Sequence, residues 1–135
     1  MADSEPKEVV RQFLAAIKGG DGQTMMSLLA DDAVVVLPGS FKVAWAGRWQ
    51  GREPIKQCFH AIGALLDIRD HTVKLMFGEG AHVLVLIDET SAAKNTGRLL
   101  HQETAWYFRI ENGAVVHWQA FEDTEQIAWV WDDGA

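Results

Sequence analysis

The chain has 135 residues, of which 48% are hydrophobic and 23% charged; this composition suits one packed domain and excludes a disordered tail. Twelve basic and nineteen acidic residues give a net charge of −7, so nucleic acid is not an expected partner. One cysteine, Cys58, excludes an internal disulfide, and no apolar run is long enough to cross a membrane. We therefore expect a cytoplasmic single domain over residues 1–135 that binds no membrane, cofactor or metal.

The N-terminal half is predicted to contain three helices and one strand. The first helix carries an apolar stripe at helical spacing, formed by Val10, Phe13, Leu14 and Ile17. Asp21 is the predicted N-cap of a short second helix, with an inner face of Met25, Leu28 and Leu29. The β-branched run 33–37 predicts a buried strand, which a loop with Trp45 and Trp49 follows. Pro54 marks the start of the third helix, whose apolar face includes Phe59.

The second half alternates in the manner of strands. Residues 72–77 and 82–89 form a predicted hairpin, and residues 99–110 and 114–123 form another across Asn112-Gly113. The polar segment 91–97 between them is a predicted solvent loop, and a short helix ends the chain at 124–131. The predicted fold class is therefore α+β, with three N-terminal helices packed on a curved mixed or antiparallel sheet and a short C-terminal helix.

Five short motifs in this order carry a resemblance to a known family. They are Phe13-Leu14-Ala15-Ala16-Ile17 running into Gly20-Asp21, Leu29-Ala30-Asp31-Asp32-Ala33-Val34, Gly51-Arg52-Glu53-Pro54-Ile55, Glu111-Asn112-Gly113-Ala114-Val115 and Phe121-Glu122-Asp123-Thr124. From Val9 to Ile127 the chain resembles the SnoaL-like and ketosteroid-isomerase-like branch of the nuclear transport factor 2-like superfamily. The resemblance implies a cone-shaped fold, an apolar pocket between helix and sheet, and dimers formed through the outer face of the sheet.

The acidic groups of two enzymes with this fold are missing from the matching positions. Ketosteroid isomerases place a tyrosine and two acids where this chain has Phe13, Leu37 and Ala105. Limonene epoxide hydrolases place an essential aspartate where this chain has Ala120. Because these side chains neither accept a proton nor hold an enolate oxygen, the sequence argues against both activities.

The two-residue turn at Asn112-Gly113 predicts the register of the last hairpin. It pairs Tyr107 with Trp118, Ala105 with Ala120 and Glu103 with Glu122, and it turns all six toward the pocket. The opposite face is then the predicted homodimer interface, formed by Trp106, Phe108, Gln119 and Phe121. In the alternative, a slip of one residue turns Thr104, His117 and Gln119 inward and makes His117 a candidate base.

Polar residues at one end of the predicted sheet are the candidate catalytic groups. His101, Glu103 and Asp88 are predicted to meet inside the mouth of the cone. Glu103 and Glu122 face each other across the last hairpin, where the expected role is a solvated rim at the wide end of the sheet. If they act instead as a pair, the pKa of one carboxyl group is raised. The chain has no compact metal-ligand motif, so no metal is expected at this cluster.

Aromatic side chains are the predicted means of ligand recognition, because large rigid rings stack on flat apolar molecules. Tyr107 is the predicted hydrogen-bonding group of that site. The predicted ligand-binding residues are Phe13, Leu37, Trp45, Trp49, Phe59, Ala105, Tyr107, Trp118 and Ala120.

Three functions remain open on the sequence. The first is a protein that binds a small apolar or aromatic molecule in the cone pocket. The second is a cyclase-, dehydratase- or isomerase-type enzyme whose base comes from His101, Glu103 or Asp88. The third is a dimerisation or adaptor module with a filled pocket.

Overall fold

The computed structural model describes residues 5–40 and 42–131. In this part of the chain, an aspartate and a glycine mark the starts of two of the helices. The four helices of this part of the chain are α1 (Pro6–Lys18), α2 (Gly22–Ser27), α3 (Arg52–Leu65) and α4 (Thr124–Trp131). Asp21 caps α2 as predicted, since its carboxylate accepts a hydrogen bond from the Thr24 amide at 3.1 Å. Gly51 precedes α3 with a φ of 89°, a conformation that favours glycine. None of these helices has the length and apolar character that crossing a membrane requires.

Six strands form one mixed sheet. They are β1 (Leu29–Leu37), β2 (Gly47–Gln50), β3 (Leu66–Glu79), β4 (His82–Ala93), β5 (Leu99–Glu111) and β6 (Ala114–Phe121). The strand order is β2-β1-β6-β5-β4-β3, in which only β1 and β6 run parallel. The α+β class, the mixed sheet and the short C-terminal helix are confirmed. The described residues contain four helices in total, and β1 and β2 separate α2 from α3 along the chain.

Aromatic side chains fill the space between the helices and one face of the sheet, called here the inner face. Trp118 of β6 is at the centre of this core and is 4% exposed. Its ring centroid lies 5.4 Å from Phe13 of α1, 6.0 Å from Phe59 of α3 and 4.8 Å from Trp106 of β5. The predicted apolar stripe of α1 is buried here as expected, and α4 packs on β4 and β5.

Three local predictions are wrong, and in each case strand pairing includes residues that the local pattern assigned to a helix or a loop. Leu29 begins β1 rather than ending α2. Residues 47–50 of the predicted loop form β2, which pairs with β1 between Val34 and Leu37. β4 continues to Ala93 through the first part of the predicted loop, because 91–93 pair with β3 and β5 and are buried.

A β-bulge changes the predicted register of the last hairpin. The turn is as expected, since Asn112 and Gly113 both have positive φ, of 52° and 74°. Glu111 pairs with Ala114, but the register shifts beyond Ile110, so that Phe108 rather than Tyr107 lies opposite Trp118.

The shift reverses the predicted orientation of β5 while leaving that of β6 intact. Trp118 and Ala120 face inward as predicted, whereas Ala105 and Tyr107 lie on the outer face, where Tyr107 pairs with Gln119. The predicted interface residues Trp106 and Phe108 are correspondingly buried on the inner face, at 6% and 0% exposure. Thr104 is buried on the inner face with them, as the alternative register predicted for β5. His117 and Gln119 of β6 contact each other at 3.2 Å and lie on the outer face, so this part of the alternative is wrong.

Candidate active site

A group of polar side chains interrupts the apolar inner face. His71 of β3 pairs with Glu89 of β4, and Glu89 pairs with Gln102 of β5, so three neighbouring strands each contribute one side chain. Glu122 follows β6 directly. Because side chains alternate along a strand, it lies on the same face as the inward residues Trp118 and Ala120. We call His71, Glu89, Gln102 and Glu122 the inner polar cluster. His71 and Glu89 are buried, with 3% and 8% of their surface exposed.

The two carboxyl groups of this cluster have no cationic partner among the described residues. The Glu89 Oε1 atom accepts one long hydrogen bond of 3.5 Å from the Ser91 hydroxyl, while Oε2 has no partner. Burial raises the pKa of Glu89 to about 7. Burial, followed by the negative charge of Glu89, raises the pKa of Glu122 to about 8. Between these two values the pair holds one proton, which is the condition for acid and base to work side by side.

Hydrogen-bonding atoms without partners surround the carboxyl pair. The His71 Nε2, Gln102 Nε2 and Trp106 Nε1 atoms are buried and lack a partner in the part of the chain that the structure describes. The Gln102 Oε1 atom accepts the Asp123 amide at 2.7 Å, which fixes this side chain and leaves its NH₂ group available. Buried polar atoms are almost always satisfied, so such a group indicates a place for a polar molecule.

His71 is a neutral imidazole in this environment. Burial, and then the positive charge of Lys18, lowers its pKa from the ordinary value. Its ring lies 5.2 Å from that of Trp106, which joins the imidazole to the aromatic core. His71 therefore offers the cluster an uncharged ring nitrogen at pH 7.

Two cavities reach this cluster from outside. A groove of about 400 Å³ between α1 and β3 is lined by His71, Leu14 and Met76. A crevice of about 600 Å³ beside α4 is lined by Gln102 and Trp129. The two cavities thus approach the inner polar cluster at His71 and at Gln102, whereas Glu89 and Glu122 line neither of them.

The predicted ligand-binding residues separate into three environments. Phe13, Leu37, Trp45, Trp118 and Ala120 are buried in the core. Phe59 and Trp49 are half-buried, and the Trp49 indole donates to the Trp45 carbonyl at 2.9 Å. On the outer face, Ala105 is half-buried and the Tyr107 hydroxyl lies 2.7 Å from the His82 Nδ1 atom. Their role in binding stays a prediction, but the expected common pocket face does not include Ala105 and Tyr107.

The predicted catalytic residues do come together, though on the outer face. His101 contacts Asp88 at 3.0 Å, and Glu103 forms an ion pair with Lys74. The bulge is the reason, since it places odd-numbered residues of β5 outside. The alternative in which Glu103 pairs with Glu122 is therefore wrong: Glu103 is half-exposed, and the pKa of Glu122 is raised by burial and by Glu89. No set of three or more metal-ligand residues is present among residues 5–40 and 42–131.

Sequence reasoning missed Glu89, His71 and Gln102. One signal for Glu89 was available, because this acid follows Val83, Val85 and Ile87 in the same inward phase of an otherwise apolar strand. His71 and Gln102 carry no such signal, since only the pairing of three strands brings them beside Glu89.

Comparisons with known proteins agree with this architecture. A family model described as "SnoaL-like domain" matches residues 10–118. The fold is similar to that of an NTF2-like protein of unknown function from Burkholderia pseudomallei, with a TM-score of 0.86 and 20% identity over 93% of this chain and 96% of that one. An NTF2-like protein from Burkholderia xenovorans gives 0.84 and 21%, over 97% and 98%.

A third similar structure contains a small molecule. TerC, co-crystallised with polyporic acid, has a TM-score of 0.81 and 17% identity over 95% of this chain and 98% of that one. At these identities the structural matches establish the fold alone. No curated protein matches the sequence.

Proposed function

The chain belongs to the SnoaL-like domain family, and from this premise we propose that it binds a small, flat, largely apolar carbonyl compound at the inner polar cluster and moves a proton on it. The observation that carries the proposal is the carboxyl pair of a buried Glu89 and a half-buried Glu122, which has no cationic partner among the described residues. Burying such a pair costs stability, which is typical of a site kept for chemistry.

The unequal pKa values assign a role to each carboxyl group. Because the pKa of Glu122 is raised further, to about 8, than that of Glu89, to about 7, we assign the proton of the pair to Glu122 and the carboxylate to Glu89. The Glu89 carboxylate removes a proton from the carbon next to the carbonyl, while the Glu122 hydroxyl donates a hydrogen bond to the developing enolate oxygen. Glu89 then returns the proton to the same carbon or to a conjugated one. This is the elementary step of isomerase-, cyclase- and dehydratase-type reactions, with the base relocated from the positions that the resemblance implied.

The surrounding residues support an apolar ligand body. Trp106 and Trp118 are buried and packed against each other in the core beside the cluster, and each has an indole N–H without a partner among the described residues. Aromatic walls with a few convergent polar groups are the usual composition of small-molecule sites. TerC, whose fold is similar, was crystallised with a small organic acid, which is compatible with such a ligand class.

Proton exchange tests this function before the natural substrate is known. We expect the protein to accelerate deuterium exchange at the acidic C–H groups of 2-tetralone in D₂O, followed by proton NMR. The rate should rise with pH through about 7 and fall above about 8, as the pair loses first one and then its second proton. Glu89→Gln should slow the exchange by about 10²–10⁴-fold and leave tryptophan quenching by the ketone intact.

The control is Glu103→Gln, which removes the same charge from the outer face, where Glu103 is half-exposed and paired with Lys74. We expect it to exchange at the wild-type rate. Loss of exchange in Glu103→Gln or in His101→Ala, with Glu89→Gln still active, contradicts this assignment. It would show that the base is His101 or Glu103 on the outer face. A protein that shows neither quenching nor exchange supports the adaptor function instead.

We further propose that the chain forms a homodimer through the outer face of the sheet. Leu75 and Phe77 of β3 lie beside Leu86 and Leu84 of β4, and Phe121 adds to the same face. Phe77 is 64% exposed, Leu84 50% and Phe121 53%. Adjacent exposed apolar side chains of this size are typical of a protein–protein interface. Of the interface residues predicted from sequence, Gln119 and Phe121 remain in this proposal.

Light scattering of the purified protein tests the dimer. We expect a mass of about twice that of the 15.0 kDa chain, reduced to one chain in Phe77→Lys, because burying a lysine between two apolar sheets is strongly unfavourable. Trp129→Lys is the matched control, since Trp129 is 54% exposed on α4 and away from the sheet face. A monomeric wild-type protein, or a dimer unaffected by Phe77→Lys, contradicts the proposed interface.

A further inference from the structure

A groove separates α2 from α3 and is distinct from the approaches to the inner polar cluster. Its volume is about 980 Å³. Its walls come from the two helices: Gly22, Gln23, Met26 and Ser27 on one side, and Arg52, Glu53, Lys56, Phe59, His60, Gly63 and Ala64 on the other. A cavity of this size accommodates a small organic molecule.

Three basic residues form a row along the α3 wall. Arg52, Lys56 and His60 are spaced four residues apart, so they follow one another on a single side of the helix. Lys56 and His60 make no hydrogen bond or ion pair within residues 5–40 and 42–131, and the Arg52 Nη1 atom is held by the Leu29 carbonyl at 2.9 Å. Glu53 is the one acidic residue of the lining.

This arrangement is unfavourable for the protein without a ligand. Like charges four residues apart repel each other on a helix, and positive charge at a helix N-terminus opposes the helix dipole. Arg52 is the first residue of α3, and no side chain caps this end of the helix. In a chain with a net charge of −7, two cationic side chains, Arg52 and Lys56, against the single acidic Glu53 in this lining mark a surface complementary to an anion.

The other part of the lining is apolar and open. Phe59 and Met26 provide hydrophobic surface from α3 and α2, and the Phe59 ring is supported from below by Trp118 at 6.0 Å. A Cβ atom added at Gly22 or at Gly63 meets nothing within 4 Å, so both glycines border free space. The groove thus combines an aromatic surface with two cationic side chains, Arg52 and Lys56, at its edge.

We propose that the groove between α2 and α3 is a second binding site, which takes a small organic anion with a flat apolar body. The apolar body lies on Phe59 and Met26, and the carboxylate or sulfonate group binds Arg52 and Lys56 through charge-assisted hydrogen bonds. None of the four residues of the inner polar cluster lines this groove, so the proposal stands independently of the proton-transfer function.

A pair of fluorescent probes separates the apolar part of recognition from the charged part. 8-Anilinonaphthalene-1-sulfonate and N-phenyl-1-naphthylamine share the same aromatic body, and only the first carries a negative charge. We expect the sulfonate to bind one site per chain, more tightly than the neutral probe despite the negative charge of the protein. Its affinity should fall when salt is raised from about 50 to about 500 mM, as the attraction to the basic row is screened.

Two variants locate the probe in the groove. Lys56→Gln should weaken the sulfonate about tenfold and leave the neutral probe within about twofold. Gly63→Leu fills the groove and should abolish binding of both probes; since leucine favours a helix more than glycine does, α3 stays folded. Arg69→Gln is the matched control, because it removes one positive charge from an exposed ion pair with Asp67 on β3.

Several results would overturn the proposal. Equal affinity for the two probes would show that Arg52 and Lys56 do not contribute to binding. Unchanged binding in Gly63→Leu would show that the probe binds outside the groove. Loss of binding in Phe77→Lys, with Gly63→Leu unaffected, assigns the probe to the exposed apolar outer face. Loss of the same extent in Arg69→Gln and Lys56→Gln shows that only net charge matters.

Discussion

Replacing Trp118 with alanine is expected to lower the free energy of unfolding by about 3–5 kcal/mol, a large share of the stability of a domain this size. Trp118 is 4% exposed and contacts the rings of Phe13, Phe59, Trp106 and Phe108. These partners come from α1, α3 and β5, so removing the indole leaves a cavity that no single element can close.

Urea denaturation followed by circular dichroism measures this loss. The matched control is Trp129→Ala, in which a tryptophan of α4 that is 54% exposed is removed. That variant should lose only about 1–2 kcal/mol, because about half of the indole is already in water and the main loss is its contact with the Arg98 guanidinium, 4.7 Å from the ring centroid. A loss in Trp118→Ala no larger than that in Trp129→Ala contradicts the view that the inner face is filled by close-packed aromatic rings.

The second large effect is a decline in stability at alkaline pH caused by the inner carboxyl pair. The pKa values of Glu89 and Glu122 rise from 4.5 in the unfolded chain to about 7 and about 8 in the folded one. Between these limits the folded state holds more protons than the unfolded state, so stability falls as pH rises. The contribution of these two carboxyl groups to the free energy of unfolding is fully present below pH 4.5 and is lost as pH rises through about 8.

His71 contributes in the opposite direction at lower pH. Its folded pKa lies below the ordinary 6.5, so its neutral form stabilises the protein above that value and the contribution is lost on acidification. Above pH 6.5 the carboxyl pair therefore acts without this opposing contribution. From there to about pH 8.5 we expect the free energy of unfolding to fall by about 2–3 kcal/mol.

Denaturation curves across this pH range measure the effect. The double variant Glu89→Gln/Glu122→Gln should be nearly independent of pH over the range and more stable than the wild type at its alkaline end, because neither amide ionises. The control Glu103→Gln should retain the wild-type slope, since that carboxylate is half-exposed and ion-paired. A wild-type protein whose stability is flat above pH 6.5 shows that the two groups are solvated.

The exchange experiment tests the catalytic role of Glu89 and Glu122, and the denaturation experiment tests the effect of the same two residues on stability. Glu89→Gln is expected to remove proton exchange and to raise stability at alkaline pH, a combination typical of a residue kept for function at the cost of folding. A variant that loses exchange and also loses stability indicates instead that Glu89 holds the structure together.

Local sequence determined most of the elements of this fold. The stripe of α1, the cap of α2 at Asp21, the turn at Asn112-Gly113 and the terminal helix 124–131 were all predicted, because each depends on residues close together in the chain. The order of these elements, with the five short motifs, also sufficed to identify the SnoaL-like family.

Tertiary structure alone decided which residues form the candidate site. One bulge on the last hairpin places Trp106 inside and Tyr107 outside, and no local pattern encodes it, because a strand with large side chains on both faces fits either register. His71, Glu89 and Gln102 come from three strands, and they meet only through the pairing of those strands. The raised carboxyl pKa values depend on burial and on a neighbouring charge, which are properties of the assembled core rather than of any segment.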